Sequence, residues 1–572
     1  MRRNKFLRES VGSLLTASSS SSIRQLLLSG FVSHTNARGL LSSPGFLKKP
    51  AFSLLGTKLR ADNLAFALLL EKEYVLTEVE RARKALDERF FALPPDEFVR
   101  HFETLLCGKA IVDAVHFPAQ MDFGLGLHGM AYAPRVPDIR RAVDDEKLNF
   151  LLPYYRDKVM PDFRREQPGV VGISVSHVSE FIPAFTLANL IKKASPETHI
   201  CLGGAVLSEV SHRIADNLPL WEYFDSLVIG PGEHSFSHLI ETIDTKKKLS
   251  DVPNLVYREN GAVKHSEKLL NFNLNDACTP EYAPQRPKPA LTLEASSGCY
   301  WGKCIFCYYP KEGTADLSTE YHKGRVRDIE LVIKDMEALT EKYDPAYIGF
   351  SDSSFHPTRL EHLAEYNLKR KTPIHFSSFV RFEKEFLSPQ FCDKLARGGF
   401  LGGQVGLESG SQKINDFINK GVALPDAERI IQNFYKAGIL IHIYSMVDLP
   451  VETPEDSRMT RDFMKKWHRM ITLGWQIYPL GILEHGPLAL KAGELGLTLT
   501  PMEGDYLVQA MQYTTQKGMS QAESLATAIG FQESLKKYAH PLNKLMDVES
   551  HKVLRLVMRA KEKSLAKAAK PA

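Results

Sequence analysis

Six extended runs separated by helical patterns fill residues 290–483: ALTLEAS (290–296), AYIGFSDSS (346–354), IHFSSFVR (374–381), GGQVGLES (402–409), GILIHIYSMVD (438–448) and WQIYPLGIL (475–483). Between them lie stretches such as DIELVIKDMEALTEKY (328–343), whose apolar residues recur at a helical period. Strands that alternate with helices form parallel sheets. Six such units in about 200 residues are predicted to make a partial (β/α)6 barrel, with its chemistry at the carboxyl ends of the strands. A shorter alternation precedes it: GVVGISVS (169–176), a helix over 181–194, HICLGG (199–204), and DSLVIGPGE (225–233). This part is predicted to be a Rossmann-like, doubly wound α/β domain.

The chain therefore divides into five stretches: an extension over 1–61, a helical region over 62–160, the Rossmann-like domain over 161–270, the barrel over 285–500 and a helical region over 501–572. A linker rich in Pro and Asn joins the two α/β parts. The formal charge of +4 is uneven, because residues 1–61 hold ten Lys or Arg against one acid, Glu9, a local +9 that leaves 4 − 9 = −5 for the rest. A mildly acidic body gives no reason to expect nucleic acid binding. Twelve serines and six arginines in residues 1–60 match the composition of an organelle transit peptide, and equally that of a disordered extension. The first reading implies an organelle and the second the cytoplasm. The apolar stretch Leu64 to Leu70 is too short for a membrane span, so no membrane partner is expected.

Seven cysteines are too few for a disulfide framework in 572 residues, and three crowd into GCYWGKCIFC (298–307), a loop just after the first barrel strand. Cys299, Cys304 and Cys307 are spaced Cys-x4-Cys-x2-Cys, and Gly298 and Gly302 give the loop its freedom. Three thiolates on a four-iron cluster leave one iron open. The rival is a zinc site completed by a ligand such as His322, but structural zinc favours two ligand pairs and the chain holds one Cys-x2-Cys.

The cysteine loop and the segments that follow it resemble the radical S-adenosylmethionine (SAM) superfamily, whose commonest spacing is one residue shorter in the first gap. The resemblance implies a 4Fe-4S cluster on Cys299, Cys304 and Cys307, with SAM on its open iron. It implies that Phe306 lies against adenine, that Ser351, Asp352 and Ser353 in FSDSSF meet the SAM amino end, and that Arg381 and Glu408, the latter in GLESGS, meet its carboxylate, ribose or amino group. A structural N-cap for Asp352 and a structural ion pair for Arg381 and Glu408 stand beside those roles. MVDLPVET (446–453) resembles the loop that offers backbone groups to adenine.

VVGISVS, LGG and GPGEH resemble the cobalamin-binding domain that precedes the barrel in one class of this superfamily, and the likeness points to Ser174, His177, Gly203, Gly204, Gly230, Gly232 and Glu233 as cobalamin contacts. The Asp-x-His-x-x-Gly motif that supplies a histidine to cobalt in some such domains is absent from this stretch. A Rossmann-like module without that cofactor is the alternative. The enzymes resembled include C-methyltransferases and epimerases of ribosomally made peptides. A methyltransferase needs methylcobalamin, whereas an epimerase needs a hydrogen donor, for which Cys392 in SPQFCDKLARGG is the candidate. A small buried core residue is the other reading of that cysteine. The expected partners are a precursor peptide and an electron donor such as flavodoxin or ferredoxin. An iron–sulfur scaffold or sensor on the same fold is the non-enzymatic alternative.

Overall fold

The computed structural model describes residues 130–539 except 269, 271, 284–287, 308–324, 503, 509 and 517, with scattered residues between 80 and 128 and between 552 and 563. The extension over 1–61, Cys107 and His322 lie outside the described residues. The chain divides into two units, one of residues 1–227, 256–264 and 505–507, the other of 228–255, 265–504 and 508–572.

The first unit is organised by strands β1 (Val170–Ser174), β2 (His199–Gly203), β3 (Ser226–Val228), β4 (Leu255–Glu259) and β5 (Ala262–His265), which form one sheet in that order. β1, β2 and β3 are parallel, with Ile173 opposite Leu202 and Leu202 opposite Leu227. Helix α1 (Phe181–Ala194) connects β1 to β2 and buries Phe181, Phe185 and Ala188. Its mainly apolar buried face, interrupted by Thr186 and Asn189, and the full burial of Ile200 and Leu202 follow from a sheet covered by helices.

In the second unit, β6 (Ala290–Leu293), β7 (Tyr347–Phe350), β8 (Phe376–Val380), β9 (Phe400–Glu408), β10 (Leu440–Val447) and β11 (Gly474–Pro479) lie side by side in chain order. Every neighbouring pair is parallel. No pairing of β6 with β11 closes the ring among the described residues, so the barrel is partial. Helix α2 (Glu233–Asp244) precedes these strands in the chain, and α3 (Ile329–Tyr343), α4 (Pro357–Leu368), α5 (Pro389–Arg397), α6 (Leu424–Ala437) and α7 (Pro454–Trp467) alternate with them. α3 to α7 pack on one face of the sheet. That face carries Leu291, Leu293, Ile348, Phe376, Val405, Ile441 and Ile443, which meet Met336, Leu363, Phe434 and Met464 from the helices. The opposite face carries Gly349, Ser377, Gly402 and Gln404 beside the larger Phe379 and Tyr444, whose rings stack on one another.

The region after 500, expected to be helical, begins as a sheet. β12 (Ile482–Leu483), β13 (Leu497–Pro501) and β14 (Ala510–Thr515) form an antiparallel three-stranded sheet in the order 12-14-13, before helix α8 (Gln521–Leu535). The Thr and Tyr residues of LTLTP and AMQYTT suit a pleated, half-buried surface better than a helix. Among the described residues no helix is long and apolar enough to cross a membrane.

Candidate active site at the mouth of the partial barrel

β6 ends at Leu293, and the chain then leans on residues 325–327: Arg327 donates its N–H to the Ala295 carbonyl at 2.9 Å and Ser297 to the Arg325 carbonyl at 2.8 Å. From this stem the three cysteines follow in a loop, each half-buried. Gly298 and Gly302 stand at φ 91° and 58°, in the left-handed region where glycine carries no steric penalty. The extra residue in the first gap is thus taken up by the backbone, as the spacing predicted. The loop is pinned to the segment after β9. Ile305 N–H donates to the Ile418 carbonyl at 3.1 Å, and the Trp301 indole donates to the Asn419 carbonyl at 2.9 Å. Gly421, at φ 68°, lies flat against the Trp301 ring, where a Cβ would overlap it.

Cations gather here. The Arg381 guanidinium lies 4.3 Å from the centre of the Trp301 ring and donates to the Lys420 carbonyl at 2.6 Å and to Glu383 at 2.9 Å. Lys420 pairs with Glu408 at 2.6 Å, both side chains 9% exposed. Gly406 makes room for this pair, since a Cβ there would run into the Glu408 carboxylate and stand 2.7 Å from Lys420 Nζ. Burial pushes the Cys304 thiol up, and the Lys420 and Arg381 charges pull it back down. Nearby cations offset the charge of thiolates, so the setting suits an anionic iron–sulfur cluster. The donor set fits as well, with three thiols and no further Cys or His within the described part of the loop.

The predicted SAM residues take different places. Phe306 packs on the cluster of Ile414, Ile418, Leu449 and Leu480, with Lys420 Nζ 5.9 Å from its ring centre. Ser351 and Ser353 are exposed just past β7. Asp352, expected to meet an ammonium, is 1% exposed and turned inward: it accepts from Ala295 N–H at 2.9 Å and from the Ser296 hydroxyl. It is therefore a tether for the stem of the cysteine loop, and burial raises its carboxyl above the usual range. Arg381 and Glu408 are engaged in the ion pairs described above, with Lys420 as the partner that sequence reasoning missed. No local pattern marks Lys420, because it meets Glu408 only through the turn after β9. Glu294 was missed too. It is exposed at the mouth, and crowding by surrounding atoms, then the Asp352 and Glu233 charges, raise its carboxyl. The MVDLPVET loop is held by β14, through Tyr513 to the Asp448 carbonyl and Thr515 to the Pro450 carbonyl at 3.0 Å.

Cys392 corrects an expectation. It sits in α5 on the helix-packed side, fully buried among apolar residues, with its thiol 3.4 Å from the Phe386 carbonyl and pushed up to about 12 by burial. A thiol on that side of the sheet cannot reach a substrate at the mouth.

The cobalamin candidates stand at strand ends in the two units. In the first, Ser174 and His177 are exposed beyond β1, and the Glu180 carboxylate folds back to accept the Ser176 and His177 N–H groups at 2.6 and 3.0 Å. Gly203 ends β2, and Gly204, at φ 108°, has no room for a Cβ because the Val175 carbonyl would lie 2.5 Å from it. In the second, Gly230 stands at φ 78° in open space, Gly232 caps α2, and Glu233 opens that helix. In the first unit, the exposed Ser174 and His177 stand beyond the carboxyl end of β1, where open parallel sheets bind ligands.

A partial parallel barrel with three cysteines beyond its first strand defines a class of iron–sulfur domains. Residues 293–464 match the radical SAM superfamily, and the chain carries a radical SAM domain. An uncharacterized methyltransferase of Pyrococcus horikoshii is 25% identical over 323 residues, which are 53% of this chain and 65% of that protein. Each curated relative is matched over less than two thirds of its own length, the others over 58% and 32%. The fold is shared with the radical SAM methyltransferase TsrM of Kitasatospora setae, solved with cobalamin and a 4Fe-4S cluster (TM-score 0.51, 14% identity, 72% of this chain and 92% of that one). It is shared also with the cobalamin-dependent radical SAM enzyme OxsB, solved with aqua-cobalamin and SAM (TM-score 0.51, 17% identity, 74% and 69%).

Proposed function

We propose that this chain is a cobalamin-dependent radical SAM enzyme that methylates an unactivated carbon. The observation that carries the radical part is the cysteine loop beyond β6, backed by Lys420 and Arg381. Bound there, a four-iron cluster would supply the electron that splits SAM into methionine and a 5'-deoxyadenosyl radical able to take a hydrogen atom from a substrate carbon, and cobalamin would supply the methyl group that this carbon receives. The chain's own residues do the rest. Cys299, Cys304 and Cys307 hold the metal, Asp352 fixes the loop's stem, and Ser351 and Ser353 offer hydroxyls at the open mouth. Methyl transfer is favoured over epimerisation because Cys392, the one thiol in the barrel outside the loop, is packed away from the mouth. A flavodoxin- or ferredoxin-type carrier would deliver the electron.

Anaerobically reconstituted protein should hold about four irons per cluster and form 5'-deoxyadenosine from SAM and a reductant. Each of Cys299→Ala, Cys304→Ala and Cys307→Ala should abolish that product. Protein that holds zinc without sulfide, or that makes no 5'-deoxyadenosine, would end the radical reading. Retention of hydroxocobalamin through desalting tests the methylation part, and loss of the corrinoid with SAM cleavage intact would exclude it.

A further inference from the structure

Two cation–carboxylate pairs flank the cysteine loop, both built from residues at or beyond the carboxyl ends of strands. Arg381 and Glu383 follow β8, Glu408 ends β9, and Lys420 comes after the turn beyond it. Each cation lies against an aromatic residue of the loop itself. The Arg381 guanidinium carbon stands 4.3 Å from the centre of the Trp301 ring, and Lys420 Nζ stands 5.9 Å from that of Phe306. Trp301 and Phe306 bracket Cys304 in the chain. Both cations are buried, Arg381 5% and Lys420 7% exposed.

A guanidinium keeps its proton in proteins, so the Arg381 charge persists at every working pH. Its Nε donates to Glu383 Oε1 at 2.9 Å, and the same oxygen accepts the Tyr300 hydroxyl at 3.0 Å. Tyr300 lies between Cys299 and Trp301. Glu383 therefore brings a negative charge to the same loop on which Arg381 sets a positive one. Buried charges are screened much less by salt than exposed ones. A four-iron cluster gains a negative charge on reduction, and its potential follows the net charge around it. A unit charge about 10 Å away, at an effective dielectric of about 20, changes a one-electron equilibrium by about tenfold.

We infer that Arg381 and Glu383 set the reduction potential of the cluster that Cys299, Cys304 and Cys307 hold, and set it in opposite directions. The guanidinium eases the gain of an electron and the carboxylate opposes it. The step is the transfer of one electron from a reductant to the cluster; no bond forms or breaks and no proton moves. Eased reduction suits a chain that draws its electron from a flavodoxin- or ferredoxin-type carrier. The inference deepens the radical reading above and rests on it for the cluster, but not for SAM, cobalamin or substrate.

The test is a potentiometric titration of full-length, anaerobically reconstituted protein without SAM. The reduced cluster is read by electron paramagnetic resonance, and iron and sulfide are counted alongside. Arg381→Gln should lower the ratio of reduced to oxidised cluster at a given potential about tenfold, a shift of about 59 mV for one electron. Arg381→Lys restores the charge without the fork and should return the ratio toward wild type. Glu383→Gln keeps an oxygen for Arg381 and Tyr300 but removes the charge. It should raise the ratio about threefold, less than a buried charge would, because water reaches its side chain, 23% exposed. Tyr300→Phe removes a loop contact and no charge, so its potential should stay with wild type. Shifts of one sign in Arg381→Gln and Glu383→Gln, an unmoved potential in Glu383→Gln, or a Tyr300→Phe shift as large as that of Glu383→Gln would each overturn the inference. Where Arg381→Gln loses the cluster, the comparison of Glu383→Gln with Tyr300→Phe still decides. Formation of 5'-deoxyadenosine in the same preparations reads the radical chemistry separately. Opposed shifts without that product would keep the tuning and sink the proposed function, and the product with unmoved potentials would sink the tuning alone. Protein that holds no four-iron cluster, a case the iron and sulfide counts identify, would end both.

Discussion

Glu408 closes β9 at φ 63°, a conformation that non-glycine residues seldom adopt. The register between β9 and β10 shifts between Gly406 and Glu408, and the irregularity turns the carboxylate onto Lys420. Removing one partner of a buried pair leaves a charge without compensation, at about 3–5 kcal/mol. Lys420→Met is therefore expected to lower the denaturant midpoint sharply, whereas Lys420→Arg should recover part of the loss; equal stability of wild type and Lys420→Met would remove the pair from the account. Cys392 gives a second expectation. Its thiol titrates near 12 in the folded chain, against about 8.5 unfolded, so the unfolded chain ionises first as pH rises. The stability this thiol contributes is complete below about pH 8.5 and is lost as pH climbs toward 12. Cys392→Ala should flatten the alkaline fall in stability, and a fall as steep as that of wild type would take this thiol out of the account. At this scale the sequence marked the three cysteines because their spacing is local. It could not separate a mouth-facing Asp352 from a tethering one, or a donor Cys392 from a packed one, because those roles depend on which side of the sheet each residue meets.

The elements were far more legible than the roles of their side chains. The six barrel strands fall within two residues of their predicted starts, and α1 has its predicted bounds, because both faces of a parallel sheet and its helices leave continuous apolar runs and clear periods. β14 was read as part of a helical region because it is six residues long and only half-buried. The cysteine loop shows how one element steadies another. Trp301 is held by the Asn419 carbonyl on its edge, the Arg381 cation on its face and Gly421 against its ring. Gly421→Ala adds a Cβ inside the indole and strains a left-handed position, so the loop must move. Reconstituted Gly421→Ala is expected to hold markedly less iron and sulfide than wild type at similar secondary structure by circular dichroism. Full cluster occupancy in that variant would show that the Trp301 contact does not set the loop.

Across the whole molecule, the two strand–helix alternations were legible from their period, while the way the chain's last segment is used was not. HKVLRLVMRAKEK looked like a solvated basic helix, yet Lys552, Leu556, Val557 and Ala560 are buried at 3–4% exposure. Lys563 donates to the Ala396 carbonyl, and burial lowers its ammonium to about 8. The pattern deceives because cations alternate with apolar residues around the helix, and only the polar inner face of the sheet turns one cation into a buried partner. A chain ending at residue 551 loses all of these contacts. Burying a Leu or Val contributes about 1.5–3 kcal/mol, so Leu556 and Val557 together account for about 3–6 kcal/mol, a large share of the 5–15 kcal/mol that holds most domains together. The truncated protein should unfold at a clearly lower denaturant concentration. The cysteine loop draws its hydrogen bonds from residues 295–421 and its apolar packing from residues as far as Leu449 and Leu480, so the truncated chain should still bind iron where it remains folded. Truncated protein with wild-type stability would show that the segment merely rests against the sheet, and loss of iron at retained fold would show that it reaches the cysteine loop as well.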